Sequence, residues 1–182
     1  LLLVFILLSF SRSAAVALFS VILFHLFFTL KIQIKLLLLI FSISIFVLML
    51  PSIAQIIGSD GSGATKFGVY QNFIENFGLY DARGTFFGYG INEGNYAYSY
   101  EQGKYSHAML PMIAGHFGFI GLIIYFSFFG YLAVLSKGHT LYAFIPAFVA
   151  GLSYIHPFLE TLFLATGFIL ALYLRNNRYE KY

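Results

Sequence analysis

Two residues with chemistry to offer stand where apolar chain meets water. Arg12 interrupts the run Leu7-Leu-Ser-Phe-Ser-Arg-Ser-Ala-Ala-Val-Ala-Leu18, placing one guanidinium among residues suited to lipid. His107 stands in Lys104-Tyr-Ser-His-Ala-Met-Leu-Pro111, at the point where a polar stretch returns to an apolar one. A charge inside hydrocarbon is costly and is kept where it serves a site, or where it snorkels to the headgroup layer. A histidine at such a boundary is either a general base working near neutral pH or a hydrogen-bonded structural residue.

Between them lies a stretch rich in glycine and tyrosine. Half of the fourteen tyrosines, among them Tyr89, Tyr96, Tyr98 and Tyr100, fall between residues 58 and 106, so the ring is concentrated in one segment. Tyrosine presents a flat apolar face with a polar tip, which suits a sugar ring and equally suits an interfacial anchor. The same segment carries Lys66, Arg83 and Lys104 and five acids, Asp60, Glu75, Asp81, Glu93 and Glu101. His156 and Glu160, four apart around Pro157, share a helical face and read as a mutually satisfied pair or a second polar wall. The five histidines show no metal-ligand spacing, cysteine is absent, and no phosphate-binding glycine loop occurs, so neither a metal nor a nucleotide cofactor is expected.

The elements that must position these residues follow from composition. With 60% hydrophobic residues, 9% charged and a mean hydropathy of +0.85, the chain is too apolar for a soluble domain of 182 residues. The expectation is an all-α integral membrane protein, a multi-span helical bundle of about five to six spans with one large extracytoplasmic loop. Residues 1–57 divide into spans over 1–10, 14–30 and 36–57, and residues 107–174 into spans over 107–135, 140–154 and 158–174. Residues 58–106 form the loop, and 175–182 a cytoplasmic tail. The first residue already lies in an apolar run, so the chain reads as beginning in mid-protein.

Charge sets the orientation. Lys31 and Lys35, Lys137, and Arg175, Arg178 and Lys181 fall on one side of an alternating topology, which makes that side cytoplasmic. Arg12, the loop and the His156 turn then lie outside. Within the loop, residues 66–77 place Phe67, Tyr70, Phe73, Ile74 and Phe77 at helical spacing, closed by Gly78, which predicts an amphipathic interfacial helix. Gly115, Gly118 and Gly121, at three-residue steps, predict a small-residue ridge for close helix packing.

A serine-arginine-serine break after a span, two further helices, a long outer loop with a Gly88-Tyr-Gly90 element, a histidine at the loop exit and a glycine-rich helix resemble the C-terminal portion of bacterial O-antigen and capsular polysaccharide polymerases and the related O-antigen ligases. The resemblance covers nearly the whole chain and rests on order and spacing. It implies metal-independent glycosyl transfer, without a cofactor, at the outer face of a multi-pass bacterial cytoplasmic (inner) membrane protein. The donor would be an undecaprenyl-pyrophosphate-linked glycan, and membrane lipid, a chain-length regulator and a flippase would be partners, with no nucleic acid. By the same resemblance Arg12, Lys66 and Arg83 hold pyrophosphate, His107 activates the acceptor hydroxyl, and Tyr89, Tyr96, Tyr98 and Tyr100 line the glycan. Arg83, followed by ten residues and Gly94, fits an arginine-x10-glycine pattern of the polymerases. His107-Ala108 in place of histidine-asparagine, and Lys66 where ligases tend to carry arginine, favour polymerase over ligase. From the residues alone, a transporter or flippase of lipid-linked glycans is the alternative, and a membrane interaction protein without chemistry a third. Polarity gathered at one face and in one loop favours the enzyme over a transport path.

Overall fold

A mainly apolar run without glycine or proline gives the first helix, α1, Arg12–Thr29. The computed structural model describes residues 12–37, 40, 41, 44, 61–79, 81–152 and 156–179. The expected span over 1–10, most of that over 36–57 and the tail beyond 179 lie outside these. The described chain continues with α2, Gly61–Asn76, then two short helices, α3, Ala82–Phe87, and α4, Gly90–Glu93. Three apolar helices follow: α5, Met109–Leu135, α6, Leu141–Gly151, and α7, Glu160–Tyr179. The all-helical expectation holds, with no strand among the described residues.

Helix α5 is long and apolar enough to cross a membrane, and α6 and the run Ala14–Thr29 of α1 are shorter apolar helices. Only 17% of the most apolar window of α5 is buried, whereas the core helix of a water-soluble domain would be mostly covered. Val16, Phe19 and Phe27 of α1, Ile124, Tyr131 and Val134 of α5 and Leu164 and Phe168 of α7 are all exposed. Apolar surface on this scale calls for a partner or a lipid phase.

The expected single span over 107–135 is divided. Gly118 has φ 64°, ψ −160° inside α5, a region open essentially to glycine alone. The chain turns back there: the Ile113 carbonyl oxygen lies 3.7 Å from where a Cβ on Gly121 would sit, while eight residues of straight helix would separate them by roughly 12 Å. The segment before the break is buried from Pro111 to His116, and that after it is exposed along one side. Residues 119–135 alone are about 25 Å long, near the lower limit for a crossing.

The core joins Met109 and Ile113 from the first segment to Tyr125 and Phe129 from the second and Leu162 from α7, with Phe126, Phe144 and Phe148 packed around them. Phe129 stacks on Phe144 at 4.5 Å between centroids and Phe126 meets Phe148 edge-on at 5.8 Å, so α6 returns along α5. The turn between them closes on Ser136, whose hydroxyl is 2.9 Å from that of Thr140 and accepts from the Thr140 N–H. Phe24 and His25, near the end of α1, meet Tyr142 at the start of α6. Helices α1 and α6 therefore run antiparallel, and the Arg12 end of α1 lies toward Gly151. Helix α7 returns alongside, with Tyr173 against His139. Two ends result: Lys137, His139 and Tyr142 at one, and Gly151, His156, Glu160 and the 61–107 segment at the other.

Candidate functional site

The 61–107 segment is seated on the first part of α5 by direct backbone contact. The Tyr89 N–H donates to the Gly115 carbonyl at 2.7 Å. A Cβ on Gly88 would run into the backbone of His116 and Phe117, one on Gly94 into that of Gly115, and one on Gly118 into the Phe86 carbonyl. Gly115 and Gly118 thus do provide close approach, but to a loop rather than to a helix. Gly121 accommodates Phe117 of its own folded-back chain.

Asn95 is the fastener, and nothing in its local sequence announced it. Its side-chain amide donates to the Ile91 carbonyl at 3.0 Å, so its Oδ1 is the atom 2.8 Å from His116 Nε2, and His116 carries its proton on Nε2. Its backbone carbonyl accepts from both the N–H and the hydroxyl of Ser106, at 2.9 and 2.7 Å. One residue therefore ties the loop's exit, next to His107, to α5. His116 is buried, and its Nδ1 is a buried atom without a hydrogen-bond partner. Its ring lies parallel to Phe158 at 6.3 Å and 6.2 Å from that of His156. The sequence separated these histidines by forty residues. His156 turns to its own chain, accepting the Phe158 N–H on Nδ1 at 3.2 Å, rather than to Glu160.

His107 is exposed, with φ 46°, one of two non-glycine residues with positive φ among those described. Its ring is 5.6 Å from that of Tyr105, which lies 4.7 Å from that of Tyr96. All three are exposed, so they form an exposed aromatic row ending on an imidazole. The Tyr96 hydroxyl is raised above the usual phenol range first by its hydrogen bond to Tyr105, so the two rings act as a linked pair. Tyr105 was not among the residues expected to meet a glycan, although its place two before His107 was a usable signal.

The other tyrosines differ in placement. Tyr100 is exposed and lies over Gly68 of α2. Tyr89 lies against α3, where a Cβ on Gly84 would come within 2.6 Å of its ring. Tyr98 is only 1% exposed, with Phe73 and Phe77 at 5.0 and 6.0 Å, so its faces belong to the loop's own core. Burial pushes its hydroxyl up to about 12. Helix α2 forms where an amphipathic helix was expected, but its face is split. Phe73 and Phe77 pack on Tyr98, the Asn72 amide donates to the Ser99 carbonyl, and Phe67 and Ile74 remain exposed.

Of the expected cations, Lys66 is half-buried on α2 and Arg83 exposed on α3, whose start is capped by Asp81 through the N–H groups of Arg83 and Gly84. Arg12 opens α1 at the same end of the molecule, judged from the backbone. Arg83 shares a face of α3 with Phe87, one turn on. Phe87 lines an apolar cavity of about 380 Å³ beside the α5 break, with Phe117, Ile120, Ile124, Tyr125 and Phe158. The Tyr125 hydroxyl at its floor donates to the Pro157 carbonyl at 2.7 Å. The arrangement combines an apolar hollow, a cation one helical turn from one of its lining residues, and an exposed aromatic row ending in a histidine. Among the described residues no cluster of three potential metal ligands occurs. No protein-family model, curated protein or solved structure matches the chain.

Proposed function

We propose that this chain is a multi-pass protein of the bacterial cytoplasmic membrane that polymerises undecaprenyl-pyrophosphate-linked oligosaccharide repeat units into surface polysaccharide. The observation that carries the reading is the exposed row Tyr96, Tyr105, His107, a platform of the kind a glycan chain stacks on, with an imidazole at its end. In the reaction, an acceptor hydroxyl attacks the anomeric carbon of the donor. The bond from that carbon to the pyrophosphate oxygen breaks, the hydroxyl proton passes to His107, and the lipid pyrophosphate leaves with its charge increased. Arg83, Lys66 and Arg12 are the cations available to meet that charge. The cavity lined by Phe87 suits the hydrocarbon of a lipid-linked donor, and Tyr96, Tyr105 and Tyr100 suit its sugars. Lys31, Lys35, Lys137 and Arg175 would face the cytoplasm.

The test is chain growth in cells lacking the native polymerase. The parent protein should restore a ladder of long polysaccharide, and His107→Ala or Arg83→Gln should leave single repeat units while the protein stays in the membrane. Long chains made by both variants together would overturn the reading. Accumulation of repeat units on the cytoplasmic face would assign the protein to transport instead.

A further inference from the structure

The end of the molecule opposite the loop carries a second hollow, of about 150 Å³, lined by Phe24, Phe28, Lys137, Gly138, His139 and Tyr142. Its lining is mostly aromatic and apolar, with Lys137 as its cation. Its aromatic side continues into the exposed apolar face of α1, through Phe27 and Phe28. Its polar side is built: the Tyr142 hydroxyl is 2.9 Å from His25 Nδ1, and His139 Nδ1 donates to the Ser136 carbonyl at 2.7 Å. Lys137 holds φ 49°, a left-handed conformation that costs a lysine more than the asparagine or glycine usual there. The conformation belongs to the cap of α5, where the Gly138 N–H donates to the Ala133 carbonyl at 2.7 Å and the Lys137 N–H to the Val134 carbonyl at 3.2 Å, and the lysine lines the hollow beside it.

The charge around it is one-sided. Lys31 and Lys35 follow α1 directly, Lys35 sits 4.9 Å above the Phe27 ring, and Arg175 lies two residues beyond Tyr173, the residue against His139. Six of the chain's seven acids, Asp60, Glu75, Asp81, Glu93, Glu101 and Glu160, belong to the loop segment or to the start of α7.

We propose that this hollow binds the phosphate headgroup of an anionic phospholipid, with Lys137 on the phosphate and Phe24 and Phe28 along the first part of an acyl chain. A ligand with one anionic and one apolar part matches both walls, and a basic hollow between helices at the cytoplasmic boundary is where such lipids are held. The inference rests on the membrane reading of α1, α5 and α6 and not on glycosyl transfer.

The purified protein is reconstituted with equal amounts of phosphatidylglycerol and phosphatidylcholine, and the lipid retained is measured by native mass spectrometry. Phosphatidylglycerol should be retained preferentially. Lys137→Gln should lower that preference about fivefold, Lys137→Arg should keep it, and Lys104→Gln, an exposed loop lysine at the other end, should leave it unchanged. An excess of inorganic phosphate should not displace the lipid. Equal retention of the two lipids, an unchanged preference in Lys137→Gln, or displacement by phosphate alone would each overturn the site. Carbonate extraction separates this from the membrane reading: a protein that stays in the membrane without the preference loses the site only, and one released to the soluble fraction loses both.

Discussion

Gly94 and Gly115 meet backbone to backbone, so that a methyl group on either would run into the other's carbonyl group. This contact, with the Tyr89 N–H bonded to the same Gly115 carbonyl, sets how the 84–95 segment lies on α5. Gly115→Ala therefore forces the segment away and is expected to cost about 1–3 kcal/mol, the usual penalty of overpacking. Thermal unfolding in detergent reads the loss. Gly130→Ala is the control, because nothing lies within 4 Å of a Cβ there. Equal melting temperatures for the two variants would sink the idea.

Asn95 serves two elements at once, and its removal should show it. Asn95→Ala leaves His116 Nε2 without its acceptor, while both Ser106 donors keep the backbone carbonyl they use. The expected loss is about 2 kcal/mol, that of stranding a buried polar partner. Replacing His116 with Phe in the Asn95→Ala background should recover part of it, since both polar partners are then gone. A double-mutant cycle with no coupling between positions 95 and 116 would contradict the bond.

Some of this was legible in the residues. The helical spacing in 66–77 and the apolar runs over 14–30, 140–154 and 158–174 yield helices, because helix formation follows local periodicity even where, as at Phe67 and Ile74, the side chains stay exposed. The glycine steps at 115, 118 and 121 announced close approach, but a missing side chain does not say what fills the space, and the partner proved to be the loop. Gly118 was readable as a small residue, and not as the break in α5, because its positive φ accompanies a close approach of the Phe86 backbone, a contact from a distant segment. Tyr98 has the composition of a ligand-binding tyrosine and the position of a core residue. Only Phe73 and Phe77, more than twenty residues earlier in the chain, decide between the two. Asn95–His116 and His116–His156 are encounters of distant segments, and no spacing rule anticipates them.

Alkaline pH should loosen the loop. Burial raises the hydroxyls of Tyr70 and Tyr98 to about 12, above the ordinary value of about 10. The folded loop thus holds these protons more tightly than the unfolded chain. The resulting stability is fully present below about pH 10 and is lost as pH rises toward 12. Proteolysis of the loop between these limits, compared with tyrosinate absorbance, checks the window. Tyr98→Phe should narrow the loss.

Tyr70 allows a test of the opposite sign. Its hydroxyl is buried without a hydrogen-bond partner, so Tyr70→Phe removes a desolvated polar atom and leaves the ring packing in place. A gain of about 1 kcal/mol in loop stability is expected, read by hydrogen exchange of the α2 amides. Slower exchange supports the assignment, and faster exchange would mean that the hydroxyl has a partner.

His107 lets the demands of fold and of chemistry be set against each other. At φ 46° it occupies backbone space that glycine enters without strain and alanine does not. If position 107 mattered only for the turn into α5, His107→Gly would be the benign change. His107→Gly should be more stable than His107→Ala by about 1 kcal/mol, since only alanine keeps the strain. Both should fail equally in chain growth if the imidazole takes the acceptor's proton, because neither has one. Activity that follows stability, with glycine functional and alanine not, would remove His107 from the chemistry and leave it the corner of a loop.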